Sequence, residues 1–229
     1  MGEGGYYFER LGEDFDRLMS DYDVERRTAL IRRLLPADAI RRRCLEVGSG
    51  TGRISRALKP LVAELVVSDV SAQLARTVGE KLGVSWRQAD ACRLGFPDAS
   101  FDLVVSSECI EHTPDPRLAL REMARVLLPG GALVVTSPNK LWFPVLQLSL
   151  LLGIRKFEGP ESWLFPWQAA AALRVSGLRV LRVSGCHLFP WQVPGAKRVL
   201  PVLDRIGDRL YPLMINFAIA AVRAAVARS

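Results

Sequence analysis

The stretch LEVGSGTGR, residues 45–53, decides the fold, because it places three closely spaced glycines where an apolar strand gives way to a helix. Gly48, Gly50 and Gly52 permit a tight turn and let a ligand approach the backbone with no Cβ in the way. A dinucleotide-binding loop has the spacing G-x-G-x-x-G, which would need glycine at Arg53. The G-x-G-x-G spacing therefore argues against a nicotinamide-dependent oxidoreductase.

Carboxylates accompany this loop. Glu46 stands two residues before Gly48, where it would repel a pyrophosphate and attract a cation. Asp69 and Asp90 each end a predicted strand. The Asp69 carboxylate can accept hydrogen bonds from both hydroxyls of a ribose, and the Asp90 carboxylate, beside Ala91, can accept one from an adenine amino group. Each acid alone is also a common turn former or helix cap. The glycine loop and the acidic residues together favour a nucleoside ligand that carries positive charge. S-adenosylmethionine is such a ligand, because it carries both an ammonium and a sulfonium.

Short apolar runs alternate with segments of helical periodicity up to about residue 140. This order predicts an α/β, Rossmann-like doubly wound sheet with mainly parallel strands. Ser71 is expected to cap a helix that ends at Gly83, and Asp115 with Pro116 to begin one that ends at Pro129. The predicted buried strands are residues 43–47, 64–70, 85–90, 101–107 and 131–136.

The segments outside this core are predicted from periodicity. Residues 24–35 should form an amphipathic helix with Leu30 and Ile31 inward and its paired arginines outward. The apolar run 141–154 is too short to span a bilayer. Later elements should be a strand at 178–188, a helix at about 197–210, and a buried strand running into a short helix within 213–227.

Composition excludes several classes of protein. The 229 residues are 49% hydrophobic and 24% charged, which is typical of a globular chain. Four scattered cysteines and two histidines argue against a disulfide framework and against a zinc site, so we expect no metal. The N-terminus lacks a signal-peptide pattern, which predicts a cytoplasmic protein. The net charge of +7 comes mostly from scattered arginines and is weak evidence for a nucleic-acid partner.

The sequence resembles the class I S-adenosylmethionine-dependent methyltransferases, in the small-molecule branch that includes quinone-biosynthesis and natural-product enzymes. The resemblance covers about residues 15–140 and implies a seven-stranded sheet whose last two strands form an antiparallel hairpin, with a small helical and aromatic cap. The residues that carry it are Glu46-Val47-Gly48-Ser49-Gly50-Thr51-Gly52, Asp69, Asp90, Phe101-Asp102-Leu103-Val104, Glu111-His112 and Leu128-Pro129-Gly130-Gly131.

The same resemblance divides the chain and assigns its residues. It implies an N-terminal helical segment or lid (1–36), a cofactor-binding core (37–140), a variable substrate-recognition cap (141–177) and C-terminal strands that complete the sheet (178–229). The glycine loop would hold the methionine part of the cofactor, with Ser107 beneath it, Asp69 the ribose and Asp90 the adenine end. The implied cofactor-binding positions are Glu46, Gly48, Ser49, Gly50, Gly52, Asp69, Val70, Asp90, Ala91 and Ser107.

Methyl transfer mainly requires alignment and exclusion of water, and it needs a base only when the nucleophile must lose a proton. His112, after the fourth strand, titrates in the range suited to a general base, and Glu108 is the second candidate. The alternative is that Glu111 and His112 form a structural turn. His187 lies in an apolar run and is expected to be a core histidine with its hydrogen bonds satisfied.

Aromatic residues occur on both sides of the core. Four aromatic residues precede the core: Tyr6, Tyr7, Phe8 and Tyr22. They are expected either to close over the cofactor or to pack a helix against the sheet. Those that follow the core either form an apolar acceptor pocket or pack a helical cap: Trp142, Phe143, Phe157, Trp163, Phe165, Trp167 and Trp191. With residues 141–154 they leave open a lipid-like acceptor and peripheral membrane contact by an interfacial helix.

The sequence thus predicts transfer of a methyl group from S-adenosylmethionine to oxygen, nitrogen or carbon of a small, largely apolar acceptor, with S-adenosylhomocysteine as product. A quinone, a lipid-linked compound and a secondary metabolite all fit. The alternatives are a non-catalytic partner subunit, a protein methyltransferase and a nucleic-acid methyltransferase. Strand four ends in Ser106-Ser107-Glu108-Cys109 and not in the [DNS]-P-P-[YF] that holds a flipped base, so we expect no nucleic-acid partner. Monomer and homodimer both fit.

Overall fold

The computed structural model describes residues 20–151 and 161–224, without the side chain of residue 150. Its strands are β1 (Arg43–Val47), β2 (Glu64–Asp69), β3 (Ser85–Gln88), β4 (Phe101–Ser107), β5 (Leu127–Pro138), β6 (Leu178–Cys186) and β7 (Asn216–Arg223). Its α-helices are α1 (Asp21–Leu34), α2 (Arg53–Leu58), α3 (Ala72–Leu82), α4 (Pro116–Val126), α5 (Phe143–Leu151), α6 (Pro166–Val175), α7 (Ala196–Leu203) and α8 (Gly207–Leu210).

The seven strands form one sheet in the order β3-β2-β1-β4-β5-β7-β6. Strands β1 to β5 are parallel to one another, and β7 runs antiparallel to both β5 and β6. The chain order reverses between β1 and β4, and a doubly wound sheet binds its ligands at the carboxyl ends of the strands beside such a reversal. The predicted mainly parallel seven-stranded sheet with an antiparallel last pair is confirmed.

Apolar side chains cover both faces of this sheet. On one face Leu30 and Ile31 of α1 pack in the same buried cluster as Ala218 of β7. On the other face Leu120 and Met123 of α4 lie in a second buried cluster. Central strands that are covered on both faces read as continuous apolar runs, and this is the pattern from which the strands were predicted.

Three of the four predicted ends of two helices are confirmed. The Ser71 hydroxyl accepts a hydrogen bond from the Leu74 amide at 3.2 Å, and Gly83 ends α3 with φ +60°. The Asp115 carboxylate accepts from two amides in the first turn of α4. This helix ends at Val126, earlier than the expected stop at Pro129, because the next residue already pairs with β4.

Two predictions about burial are wrong. Residues 85–90 were expected to form a buried strand, but β3 spans only Ser85–Gln88 and all four residues are exposed, because it is the edge strand and pairs with β2 alone. The paired arginines of α1 were expected to face outward, and Arg32 and Arg33 are exposed. The prediction is wrong for Arg27, which is 2% exposed and forms an ion pair with Asp23 one turn earlier in the helix.

The C-terminal part differs from its prediction in detail. The helix expected at about 197–210 is divided into α7, a 3₁₀ turn (Asp204–Ile206) and α8. Pro201 lies inside α7, where it offers no backbone donor. The strand predicted in 213–227 is β7, and the helix expected after it falls largely outside the described residues. Among the residues described, none of the helices has the length and hydropathy needed to cross a bilayer.

Gly79 in α3 supplies a test of the packing between α3 and the edge strand. A Cβ at this position would lie 2.7 Å from the Trp86 Cβ, so the two elements need glycine for their close approach. Gly79→Ala should lower the free energy of unfolding by about 1–3 kcal/mol, although alanine is the better helix former. Chemical denaturation measures the change.

The control for Gly79→Ala is the double variant with Trp86→Gly, which removes every side-chain atom of Trp86 that the new Cβ would meet, the Cβ included. On that background Gly79→Ala should be neutral or stabilising. An equal loss of stability on both backgrounds would contradict the close approach.

Candidate active site

The glycine loop after β1 is held against two neighbouring segments. Gly48, Gly50 and Gly52 have φ values of +77°, +50° and +83°, a region that favours glycine. The amides of Gly48 and Ser49 both donate to the Ser68 carbonyl of β2. A Cβ on Gly48 would lie 2.5 Å from the Cys109 Sγ, so the loop and the turn after β4 approach each other closely. The loop therefore packs closely against the turn after β4 at the reversal point of the sheet.

The Asp69 carboxylate closes this loop from the end of β2. One oxygen accepts from the Gly50 amide at 2.9 Å and the other from the Ser71 amide at 3.0 Å. The side chain is buried, and a carboxylate with two accepted hydrogen bonds retains lone pairs for further donors. Asp69 thus supports the loop and has the acceptor capacity that a pair of ribose hydroxyls would need.

Glu46 supplies a buried carboxyl group beneath the loop. It is 2% exposed, and burial raises its pKa to about 8. Its Oε2 atom has no hydrogen-bond partner among the described residues, and neither has the Oγ atom of the buried Ser49. A buried carboxyl with an unmet oxygen beside glycines that leave the backbone open suits a cationic donor such as an ammonium.

The remaining predicted cofactor positions lie along the same sheet edge. Val70 follows β2 directly and is partly exposed. Asp90 and Ala91 lie in the turn beyond β3, two and three residues after its last residue, and not within a strand as expected. The exposed Asp90 carboxylate accepts from the Cys92 amide at 2.8 Å.

Ser107 and Glu108 belong to a directed chain of hydrogen bonds. The Arg27 Nη1 donates to the Ser107 Oγ at 3.3 Å, and this hydroxyl lies 3.0 Å from that of Thr136. Thr136 in turn donates to the Glu108 Oε1 at 3.1 Å, and the Asn216 amide donates to Oε2 at 2.8 Å. Because Thr136 has a single proton to give, Ser107 donates to Thr136 and accepts from Arg27.

Glu108 combines a strained backbone with a buried charge. Its φ is +50°, which is uncommon outside glycine and is found at sites where the surrounding structure imposes it. Burial raises the pKa of its carboxyl to about 6, although the Arg27 guanidinium opposes that rise. The carboxylate therefore sits at the sheet edge with an ionisation range close to neutral pH.

The chain of hydrogen bonds continues from Arg27 of α1 to a histidine in the C-terminal part of the protein. Arg27 binds the Asp23 carboxylate, with Nη2 at 2.8 Å from Oδ2, and the other Asp23 oxygen lies 3.0 Å from the His187 Nε2. The Arg27 and His187 contacts hold the pKa of Asp23 below its usual value against the effect of burial. His187 is fully buried, as expected, but its Nδ1 has no partner among the described residues.

Glu111 and His112 lie in the 3₁₀ turn Ile110–His112 after β4. Burial raises the pKa of Glu111 well above its usual value, and its Oε2 accepts from the Ser137 hydroxyl. Glu111 is thus a buried part of the turn, as the structural alternative predicts for this residue. The His112 side chain is 17% exposed, and its Nε2 lies 3.9 Å from the Glu111 Oε1.

Three residues of this site did not emerge from the sequence: Arg27, Thr136 and Asn216. The i, i+4 spacing of Asp23 and Arg27 was a signal for the first, since such pairs face each other on a helix. Thr136 and Asn216 are neutral residues within apolar strands, and nothing local distinguishes them. They reach Glu108 because β5 and β7 are neighbours in the sheet.

The aromatic residues after the core separate into several groups. Phe143 and Trp163 meet edge to face at 5.5 Å and line a cavity of about 370 Å³ beside the turn after β4. Phe165 stacks on Trp167, Trp191 packs against His187, and the Trp142 indole donates to the Leu213 carbonyl. Of the residues considered for a lid, Tyr22 packs near His187. Tyr6, Tyr7, Phe8 and Phe157 lie outside the described residues.

The part of the sequence that includes the glycine loop and strands β2 to β4 matches that of known proteins. Residues 45–135 match the family model described as "Methyltransferase domain". The chain is 34% identical over 115 residues to the ubiquinone/menaquinone biosynthesis C-methyltransferase UbiE of Vibrio vulnificus, over 46% of this chain and 44% of the relative. With UbiE of Pseudomonas aeruginosa it is 36% identical over 108 residues, 43% of this chain and 42% of the relative. The chain therefore spans less than half the length of these relatives.

The fold is also found in solved structures. A possible histamine N-methyltransferase from Thermotoga maritima has a TM-score of 0.73 at 20% identity, covering 95% of this chain and 99% of that one. The N-methyltransferase NodS from Bradyrhizobium japonicum, in complex with S-adenosylhomocysteine, has a TM-score of 0.66 at 19% identity, covering 97% and 99%. At this identity the likeness establishes the fold alone.

Fold and glycine loop together define a Rossmann-like domain of the nucleoside-binding type. Residues 45–135 match a methyltransferase domain, and the fold is that of solved S-adenosylmethionine-dependent methyltransferases, whose cofactor is S-adenosylmethionine. The residues present suit that cofactor, because the unmet Glu46 oxygen can receive its ammonium and the glycines leave the backbone open to it.

Glu46 should make the stability of the free protein depend on pH. Its pKa is about 8 in the fold, above the ordinary value of 4.5, so the folded state binds an extra proton between these values. The free energy of unfolding should therefore fall as pH rises from 5 to 8, with a share from Glu46 on the order of 2–4 kcal/mol. Glu46→Gln does not titrate and should lose less stability over this range.

Urea unfolding of both proteins at several pH values measures this difference. Equal pH dependence for the wild type and Glu46→Gln would show that Glu46 is ionised in the free protein throughout the range.

Proposed function

We propose that this chain transfers the methyl group of S-adenosylmethionine to a small, largely apolar acceptor. The observation that carries the proposal is the glycine loop, closed by Asp69 over the buried Glu46 at the reversal point of the sheet. This arrangement offers a cation acceptor and a hydroxyl acceptor on the neighbouring strands β1 and β2, and it agrees with the family match over residues 45–135.

The bound cofactor supplies a methyl group that is already activated for displacement. The protein's task is then to fix the cofactor and the acceptor in line and to exclude water. Glu46 receives the ammonium of the methionine part, Asp69 receives the ribose hydroxyls, and Asp90 with Ala91 borders the adenine. Ser107, held between Arg27 and Thr136, lines the floor beside the methionine part.

The acceptor enters beside the turn after β4. His112 at the end of this turn is partly exposed, and the cavity lined by Phe143 and Trp163 lies next to it in the chain and in space, since the Ser162 amide donates to the Glu111 carbonyl. The two aromatic residues suit a flat ring, and the charged side chains of Arg117 and Lys140 on the same lining suit polar substituents of that ring. We propose a phenolic or quinol-like acceptor, from which His112 removes a proton, and Glu108 is the second candidate for this step. UbiE relatives, named for quinone biosynthesis, support this choice.

Calorimetric titration with S-adenosylmethionine, S-adenosylhomocysteine and NAD tests the cofactor assignment. The two sulfur compounds should bind in the micromolar range and NAD should not bind. Asp69→Ala should weaken binding at least about 10-fold, because it removes the hydroxyl acceptor and one support of the loop. The matched control is Asp98→Ala, which removes an exposed carboxylate that pairs with Arg125. Absence of binding by the wild type would favour a non-catalytic partner subunit.

The two histidines allow a test of the proposed base. His112→Gln should reduce turnover at least about 100-fold with unchanged affinity for the cofactor, because a general base contributes about that much. His187→Gln, at the buried end of the hydrogen-bond chain, should mainly lower the thermal unfolding temperature. Formation of S-adenosylhomocysteine with a panel of phenols and quinols is the readout. Full activity of His112→Gln would leave His112 a structural role and direct the search to Glu108→Gln.

A further inference from the structure

The exposed apolar side chains of this protein are concentrated in two stretches. Among the described residues, fifteen large hydrophobic side chains are exposed, and nine of them lie within residues 141–151 and 193–213. Scattered exposed apolar residues are normal for a protein surface, but a local concentration marks an interaction site. Neither stretch contributes a residue to the proposed cofactor site.

The first stretch is α5 with the 3₁₀ turn before it. Its exposed side chains follow a helical stripe and include Val145, Leu148 and the 84% exposed Leu151. The sequence of α5, FPVLQLSLL, contains no charged residue. A surface helix of a globular protein normally presents charged residues to water, so this helix is apolar on the side where a polar face is expected.

The second stretch combines apolar and basic side chains. Val199, Val202 and Ile206 are about half exposed at i, i+3 and i+7 spacing. Exposed cations alternate with them: Lys197, Arg198, Arg205 and Arg209. The acids here are already paired, because Asp204 is buried against Arg26 and Asp208 binds Arg33. The exposed surface of this stretch is therefore both apolar and net positive.

The two stretches are physically joined. The Trp142 indole donates to the Leu213 carbonyl at 2.8 Å, and the Asn139 side chain donates to the Pro212 carbonyl at 2.9 Å. Leu213 is itself about half exposed. Both stretches extend from the carboxyl edge of the sheet, since one follows β5 and the other lies between β6 and β7. We name the exposed side chains of residues 141–151 and 193–213 the basic apolar surface.

We propose that the basic apolar surface docks on an anionic lipid bilayer. Interfacial segments bind membranes by inserting apolar side chains at the level of the headgroups while neighbouring lysines and arginines attract anionic lipids. This surface has both components, and it lies on the edge of the sheet that bears the proposed acceptor site. The inference goes beyond the proposed function and does not depend on it, because docking requires neither cofactor nor turnover.

A second copy of the chain and a nucleic acid fit this surface less well. A two-fold interface would place the same patch on both partners and would bring the exposed cations of α7, Lys197 and Arg198, together. A nucleic acid would satisfy the arginines but would leave the row of valine, isoleucine and leucine side chains without an apolar partner. A bilayer with anionic headgroups satisfies both components at once.

Co-sedimentation of the full chain with vesicles tests the proposal. Binding to phosphatidylcholine vesicles that contain phosphatidylglycerol should exceed binding to pure phosphatidylcholine vesicles at least about 10-fold, and it should weaken with salt. Arg198→Gln with Arg205→Gln should weaken it about 10-fold or more, and Val202→Ser with Ile206→Ser should do so without changing the charge. Thermal unfolding of each variant confirms that it is folded.

Matched controls come from the end of α6, away from this surface. Arg174→Gln and Val175→Ser alter an exposed arginine and a 91% exposed valine and should leave vesicle binding unchanged. Three results would overturn the proposal: no binding of the wild type to anionic vesicles; a dimer in sedimentation velocity that Val202→Ser with Ile206→Ser dissociates; or binding to transfer RNA that depends on the arginines and not on the apolar residues. Failure of methyl transfer with intact vesicle binding would reject only the proposed function.

Discussion

The Asp69 carboxylate and the loop that it holds are the constraint on which the rest of the site depends. The parallel strands β1, β2 and β4 bring three chain segments to the same edge of the sheet, but parallel pairing alone does not determine the path of the backbone beyond that edge. Hydrogen bonds from Gly50 and Ser71 to one carboxylate tie the first crossover to the second, and they hold the glycines in conformations that other residues rarely adopt. The loop can pack closely against Cys109 because Gly48 lacks a Cβ.

The charged groups are distributed unevenly around the glycine loop. Carboxyl groups lie beneath the loop and after β4, whereas Arg27 is a cation buried between them. A guanidinium keeps its charge when it is buried, so it also stabilises the ionised form of the groups that face it. Its effect passes through Ser107 and Thr136 to Glu108 in one direction, because each hydroxyl has a single proton to donate. The part of the site formed by Arg27, Ser107, Thr136 and Glu108 is therefore polar and ordered before any ligand enters.

The parts of the molecule that the sequence predicted are those governed by local rules. The glycine spacing, the Ser71 and Asp115 caps and the apolar strands each depend on a few consecutive residues. The exposure of β3 and the burial of Arg27 depend on which elements are neighbours in the fold. The periodicity of residues within one segment carries no information about these neighbours. Asn216 shows the limit most clearly, because it lies 108 positions from Glu108 along the chain. Its role depends on the pairing of β7 with β5.

The contacts of α1 have a consequence for the order in which the protein is assembled. This helix leaves the ribosome before the sheet does, yet Asp23 and Arg26 find their partners at His187 and Asp204, 164 and 178 positions later. Contacts over such separations form late, after a large loss of chain entropy. A nascent chain would therefore carry α1 undocked until His187 and Asp204 have emerged. The glycine loop would be shaped earlier, and the buried contacts of Arg27 and Asp23 would be completed only after β6 has been synthesised.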